Sequence, residues 1–147
     1  VTKAIRIVSK TIDGTFPDYA RVIPKAPFDQ SLIAKRGDLE TCAKVFAKSE
    51  AVKIDHKGDD IALESESRRN GIVTTQRCTF QAEAAGHFVS GFNPVYLAEA
   101  LKAFEAFEVR GDSLDITLQS NSPGDPAVMS CDAGGARLLA LLMPFRV

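Results

Sequence analysis

The chain has few of the side chains from which reactive sites are built: no tryptophan, two histidines, two methionines and three cysteines in 147 residues. Cys42, Cys78 and Cys131 are odd in number, widely spaced and form no CxxC pair. That excludes a disulfide frame and reads as reduced, partly buried thiols of a cytoplasmic protein. His56 and His87 lack a cysteine or carboxylate at metal-ligand spacing, so no metal and no cofactor is expected. The carboxylates nearest His56 (Asp55, Asp59, Asp60) read as a solvated hairpin turn. A glycine-rich phosphate loop and a GxSxG elbow are both missing, which leaves an enzyme reading without a site. No apolar run approaches the roughly 18 residues of a membrane helix and no signal peptide is visible, so no membrane partner is expected. Positive charge is not in excess either. A net charge of −1 excludes a histone-like basic mass, though not a locally basic face.

What is present is the composition of one globular domain, 45% apolar and 25% charged, long enough to bury a core. It opens on Val1 rather than Met, directly in a β-branched run over residues 4–12 that reads as a strand, so a longer parent is expected. Asp13-Gly14 is a turn. Residues 15–24 hold two prolines, which argue against helix or central strand, and read as a stiff extended connector pinned by Phe16 and Tyr19. Past a loop at 25–27, a strand is expected over 30–35. Asp38 is a plausible N-cap for a helix over 39–48, whose apolar face is Leu39, Ala43, Phe46 and Ala47. Strands over 52–56 and 60–66 flank the turn at 57–59, and a longer strand covers 72–83. The order then recurs. A strand over 87–92 leads to Asn93, the cap of a helix over 94–104 with Pro94 at its first position and Leu97, Leu101 and Phe104 inward. Strands over 108–110, 114–120, 127–132 and 138–143 complete the chain.

The recurrence of helix starts and hairpins roughly 55 residues apart marks a duplicated β-α-β-β-β unit. Two such units, with short connections, predict an α+β fold in which two helices pack on one face of antiparallel sheets. The tail from Arg137 to Val147 is almost continuously apolar, whereas termini are usually polar and fray. It reads as a strand that runs out beside a pocket.

Three stretches carry a resemblance to a family. Thr11-Ile12-Asp13-Gly14-Thr15-Phe16-Pro17-Asp18-Tyr19-Ala20-Arg21-Val22-Ile23-Pro24 resembles the connector between the middle and C-terminal domains of bacterial β sliding clamps, the ring-shaped processivity factors of replicative DNA polymerases. Gly91-Phe92-Asn93-Pro94-Val95-Tyr96-Leu97 resembles the start of the second helix of their C-terminal domain. Leu141-Leu142-Met143-Pro144-Phe145-Arg146-Val147 resembles their tail. The three occur in the family's order and at compatible spacing. The resemblance implies the DNA-clamp fold, with residues 1–24 the last strand of the middle domain plus connector, and 25–147 the C-terminal domain. It implies a non-catalytic subunit that encircles duplex DNA without reading its sequence, forms a homodimeric ring in its full-length parent, and docks linear peptide motifs of replicative and repair polymerases and of the clamp loader.

Clamp helices face the bore of the ring, so Lys35, Arg36, Lys44, Lys48 and Lys102 become candidate DNA-facing residues, attracting phosphates. The family's peptide pocket maps onto Pro17, Arg21, Val22, Asn93, Tyr96, Leu141, Leu142, Met143, Pro144, Phe145, Arg146 and Val147. Apolar walls with one flexible methionine suit Leu and Phe side chains. Residues 138–142 read as mainly structural and 143–147 as the part that meets a partner across the connector. The sequence departs from the family at Ala20, where a basic residue is common, and at Phe145, where Met is commoner. It is also several residues short between the first helix and Val52. The alternative is a related peptide-binding module that forms no ring.

Overall fold

A computed structural model describes residues 8–10, 14–15, 18–57, 60–108 and 113–146. Most of the strand expected over 4–12 and most of the one over 108–110 lie outside these residues, as do Phe16, Pro17 and Val147, and the described parts of both, residues 8–10 and 108, are not in a strand. The elements in order are a single 3-10 turn (Tyr19–Arg21), β1 (Gln30–Lys35), α1 (Arg36–Val45), β2 (Val52–Lys57), β3 (Asp60–Arg69), β4 (Ile72–Phe80), β5 (Ala82–Ala85), β6 (Val89–Phe92), α2 (Pro94–Glu105), β7 (Asp115–Ser120), β8 (Ala127–Ala133) and β9 (Ala136–Leu142). This is the expected α+β architecture, with two helices and two antiparallel sheets.

The two units trade strands. One sheet runs β5-β1-β7-β8-β9 and the other β4-β3-β2-β6. The strand before each helix therefore pairs with the first strand after the other helix: Leu32 faces Leu118 and Ala34 faces Ile116, while Val52 faces Phe92. Each sheet needs both halves of the chain, so neither unit can close its own core. Between them lie Leu32, Leu39, Phe46, Ile54, Leu63, Phe88, Phe92, Leu97, Leu101, Ile116 and Leu118, all at most 1% exposed. Each such side chain contributes about 1.5–3 kcal/mol through loss of apolar surface from water. Buried Gln30 ties the halves together, its Nε2 donating to Ser120 Oγ at 3.3 Å and its Oε1 accepting from the Val89 N–H at 2.9 Å.

A second exchange was not legible beforehand. The strand expected over 72–83 breaks at Gln81. β4 pairs with β3, and β5 crosses to the other sheet to pair with β1. The tail after β9 repeats the move, crossing toward β6 so that the Phe145 N–H donates to the Gly91 carbonyl at 2.8 Å. The tail occupies in the second unit the place that β5 holds in the first.

The helices start for different reasons. α2 caps itself: Asn93 Oδ1 accepts from the N–H groups of Val95 (2.9 Å) and Tyr96 (3.3 Å), and Pro94 needs no partner for its nitrogen. α1 begins at Arg36, ahead of the expected Asp38 cap, because its first amides find partners elsewhere. The Arg36 N–H donates to the Leu114 carbonyl at 2.8 Å, and the Gly37 N–H to Ser113 Oγ at 2.9 Å. Asp38 falls in the first turn, where its charge suits the helix dipole. α1 ends at Val45 in a tightened turn, the N–H groups of Phe46 and Ala47 donating to Ala43 and Lys44. Lys48 thus lies beyond the helix, and Ala47 is exposed rather than on the packed face.

Candidate functional site

The tail borders two clefts in succession. β9 alternates until Leu142, which is 5% exposed and packed in the core. The backbone then leaves β8 and is held by the Phe145–Gly91 hydrogen bond. A cleft of about 320 Å³ is lined by Phe92, Asn93, Tyr96, Glu99, Ala100, Leu141, Leu142 and Met143. Further along the tail Pro144, Phe145 and Arg146 line a cleft of about 540 Å³ with Lys53, residues 89–91 and the Pro123-Gly124 turn.

Eight of the twelve sequence-selected pocket residues are thus brought to two adjacent clefts. Asn93, Tyr96, Leu141, Leu142 and Met143 share the first; Pro144, Phe145 and Arg146 share the second. Arg21 and Val22 line neither. The connector is not extended at this point but forms a 3-10 turn, with Arg21 Nε held 3.0 Å from Asp18 Oδ2 and Tyr19 exposed. Sequence reading missed Lys53, Val89, Ser90, Pro123 and Gly124. Pro123-Gly124 stood out only as loop, and its place beside the tail depends on β7 and β8 turning back at the end of β6.

Asn93 reaches its position with its side-chain oxygen already committed to the cap, so its amide nitrogen is the group that can meet a ligand. Tyr96 and Met143 are exposed by 66% and 63%, and Phe145 by 43%. A flexible thioether, a phenol and a phenyl ring on rims of adjacent clefts make an apolar surface with adaptable shape. Lys53, at the second cleft, keeps its charge firmly. Its Nζ donates to Asp55 Oδ2 at 2.9 Å, which with Glu64 nearby raises its pKa despite burial. Asp55 also meets His87, Oδ1 to Nε2 at 3.2 Å. Among the described residues no group of three or more His, Cys, Asp or Glu is gathered to hold a metal ion, and no helix is long and apolar enough to cross a membrane.

The basic candidates separate by environment. Lys44 on α1 and Lys102 on α2 are exposed, as is Lys48 after α1. Lys44 Nζ lies 2.7 Å from Glu40 Oε1 and Lys35 Nζ 2.8 Å from Asp115 Oδ1. Arg36 differs: it is 6% exposed, and its guanidinium donates to both oxygens of Glu108 and to Glu40 Oε2. Glu108 also accepts from the Leu114 N–H at 3.3 Å. The bond to Glu108 raises the Arg36 pKa and, from the other side, holds the Glu108 carboxyl below its ordinary range. Glu40 is likewise lowered, by Lys44 first and then by Arg36. Arg36 is a knot between the start of α1 and the segment after α2; a phosphate would have to displace two carboxylates to reach it.

No family model matches the chain. Curated relatives do. It is 29% identical over 150 residues to the β sliding clamp of Synechococcus elongatus, covering 96% of the chain and 36% of that protein. It is 30% identical over 111 residues to the β sliding clamp of Rickettsia bellii, covering 68% of the chain and 29% of that protein. Among solved structures, the DNA polymerase III β-subunit sliding clamp of Bartonella birtlesii superposes with a TM-score of 0.73 at 27% identity, over 92% of the chain and 35% of that clamp. The resemblance read from the sequence holds, and the chain has the fold of the sliding clamps. It spans about a third of the length of the curated relatives it matches.

Proposed function

We propose that this chain is the C-terminal part of a DNA sliding clamp, a non-catalytic processivity subunit of the cytoplasmic replication machinery. Residues 1–24 would be the end of the preceding domain and the connector, and 25–147 the last domain. The full-length parent closes as a dimeric ring around duplex DNA. Within it Lys44, Lys48 and Lys102 face the phosphates, with Lys35 sharing its charge with Asp115, and Arg36 serves structure instead. Exposed amines attract the backbone without reading bases, which is what a sliding sleeve requires.

The peptide-docking surface is the pair of clefts along the tail. Met143 and Tyr96 would receive an apolar side chain at the first, and Phe145 and Arg146 would meet the peptide at the second. Pro17, Arg21, Val22 and Val147 remain part of the assignment through the family resemblance alone. The observation that carries this reading is the tail laid against Gly91 beside α2, in a chain aligned to a clamp along 96% of its length.

The test is titration of a labelled Gln-Leu-x-Leu-Phe-type peptide against the chain and its full-length parent. Binding that weakens in Met143→Ala and Arg146→Ala supports the assignment, and affinity unchanged in both variants overturns it. A parent that sizes as a monomer and slides off closed circular DNA would favour the ring-free peptide-binding module.

A further inference from the structure

Two of the three cysteines meet across the contact between α1 and the four-stranded sheet. Cys42 Sγ and Cys78 Sγ are 2.6 Å apart, and both are free thiols. The sequence separates them by 36 positions, and only the packing of α1 on β4 unites them. Cys42 is 3% exposed and its thiol also donates to the Thr79 carbonyl at 3.6 Å. Cys78 is half-buried on β4, the edge strand of its sheet. Cys131, on β8 of the other sheet, is buried.

We propose that Cys42 and Cys78 form a redox-active dithiol that closes to an internal disulfide on reaction with a hydroperoxide, tying α1 to the edge of the four-stranded sheet. Neither thiol has a part in the docking or DNA-facing reading, so the inference stands apart from it. The more accessible sulfur reacts first. Cys78 attacks the peroxide, an S–O bond forms as the O–O bond breaks, and the alcohol leaves with a proton, giving a sulfenic acid. Cys42 then attacks Cys78 Sγ; the S–S bond forms, the S–O bond breaks, and the hydroxide leaves with the Cys42 proton as water. Two thiols and one hydroperoxide become one disulfide, one alcohol and one water. Burial first, and the contact with Cys78 second, push the Cys42 thiol up to about 12, so Cys42 is not the sulfur that meets the peroxide. In a reducing compartment such a bond is transient and sensory rather than structural.

The experiment is stepwise addition of cumene hydroperoxide to the reduced chain, followed by acid quench, alkylation and non-reducing peptide mapping. Thiols titrated in denaturant should fall from three to one, with a single cross-linked peptide joining Cys42 to Cys78, Cys131 alkylated, and all three thiols restored by dithiothreitol. Three thiols surviving an excess of peroxide would overturn the proposal. So would Cys78 carried on to sulfinic acid beside a reduced Cys42, or a cross-link through Cys131. Cys78→Ser should abolish the cross-link and leave Cys42 reduced. Should that variant not fold, Cys42→Ala gives the same test through the Cys78 sulfenic acid, trapped with dimedone; no trapped adduct there would count against the mechanism.

Discussion

β5 and the tail hold equivalent places in the two halves of the duplicated domain, and the chain spends them differently. After β4 the backbone crosses between sheets and pairs four residues against β1, Ser31 through Ala34 facing Ala85 through Ala82. After β9 it makes the same crossing toward β6, with the Phe145–Gly91 bond as its anchor, and leaves Met143 and Phe145 exposed. Small alanines on β5 complete a sheet edge. Bulky residues on the tail stand off from α2 and from the Pro123-Gly124 turn, and the gaps they leave are the two clefts. The internal repeat thus keeps the topology while the described tail residues, unlike those of β5, border open clefts.

The helix starts make the same contrast, and the largest effect should fall there. Arg36→Ala leaves the Glu40 and Glu108 carboxylates without their shared partner in a largely buried setting, and should cost about 3–5 kcal/mol in urea unfolding. A cost within a few tenths of a kcal/mol would show that α1 does not depend on the segment after α2.

The same knot sets the acid response. Glu108 and Glu40 have folded pKa values below their unfolded ones. Their contribution is therefore fully present above the unfolded value of about 4.3 and is lost as pH falls through the folded values. Urea midpoints should hold steady from pH 7 to 5 and drop steeply below about 4.3, with the drop flattened in Arg36→Ala.

Next in size are the tail substitutions. Met143→Ala and Arg146→Ala should each weaken peptide binding by about fivefold or more, the level of an interface residue that matters, while leaving the urea midpoint nearly unchanged because both side chains are exposed. Substituting Ala84 on β5 with Ser should do neither to binding. A peptide affinity that responds to β5 and not to the tail would reverse the comparison.

The smallest effects separate the two caps. Asn93→Ala should cost about 1 kcal/mol, since two amides of α2 lose their acceptor. Asp38→Asn should change stability by only about 0.3 kcal/mol, since Asp38 contributes charge near the dipole and no cap. Equal costs would mean that Asp38 caps α1 after all.

These cases also show what could be read in advance. The cap at Asn93, the inward face of Leu97, Leu101 and Phe104, and the span of β1 were legible because each depends on residues within a few positions of one another. The start of α1 was not, because Ser113 and Leu114 supply its partners from the far half of the chain. The break at Gln81 was hidden for a similar reason: residues 72–83 have no clear alternation, β4 is exposed along most of its length, and only pairing with β3 and then β1 divides it. Among the candidate cations Arg36 looked like its lysine neighbours. Its burial between two carboxylates follows from where Glu108 is placed.

From the sequence by itself came the duplication, the α+β class and the tail as the unusual stretch, since periodicity and turn chemistry write these directly into the order of residues; the clamp resemblance came separately, from the three stretches that match the family. The tertiary structure alone decided the strand exchange between units, the trans-capping of α1, the meeting of Cys42 with Cys78, and the division of the tail's surroundings into two clefts. Each of these depends on groups far apart in the chain, and nothing in local pattern encodes a distance that only packing closes.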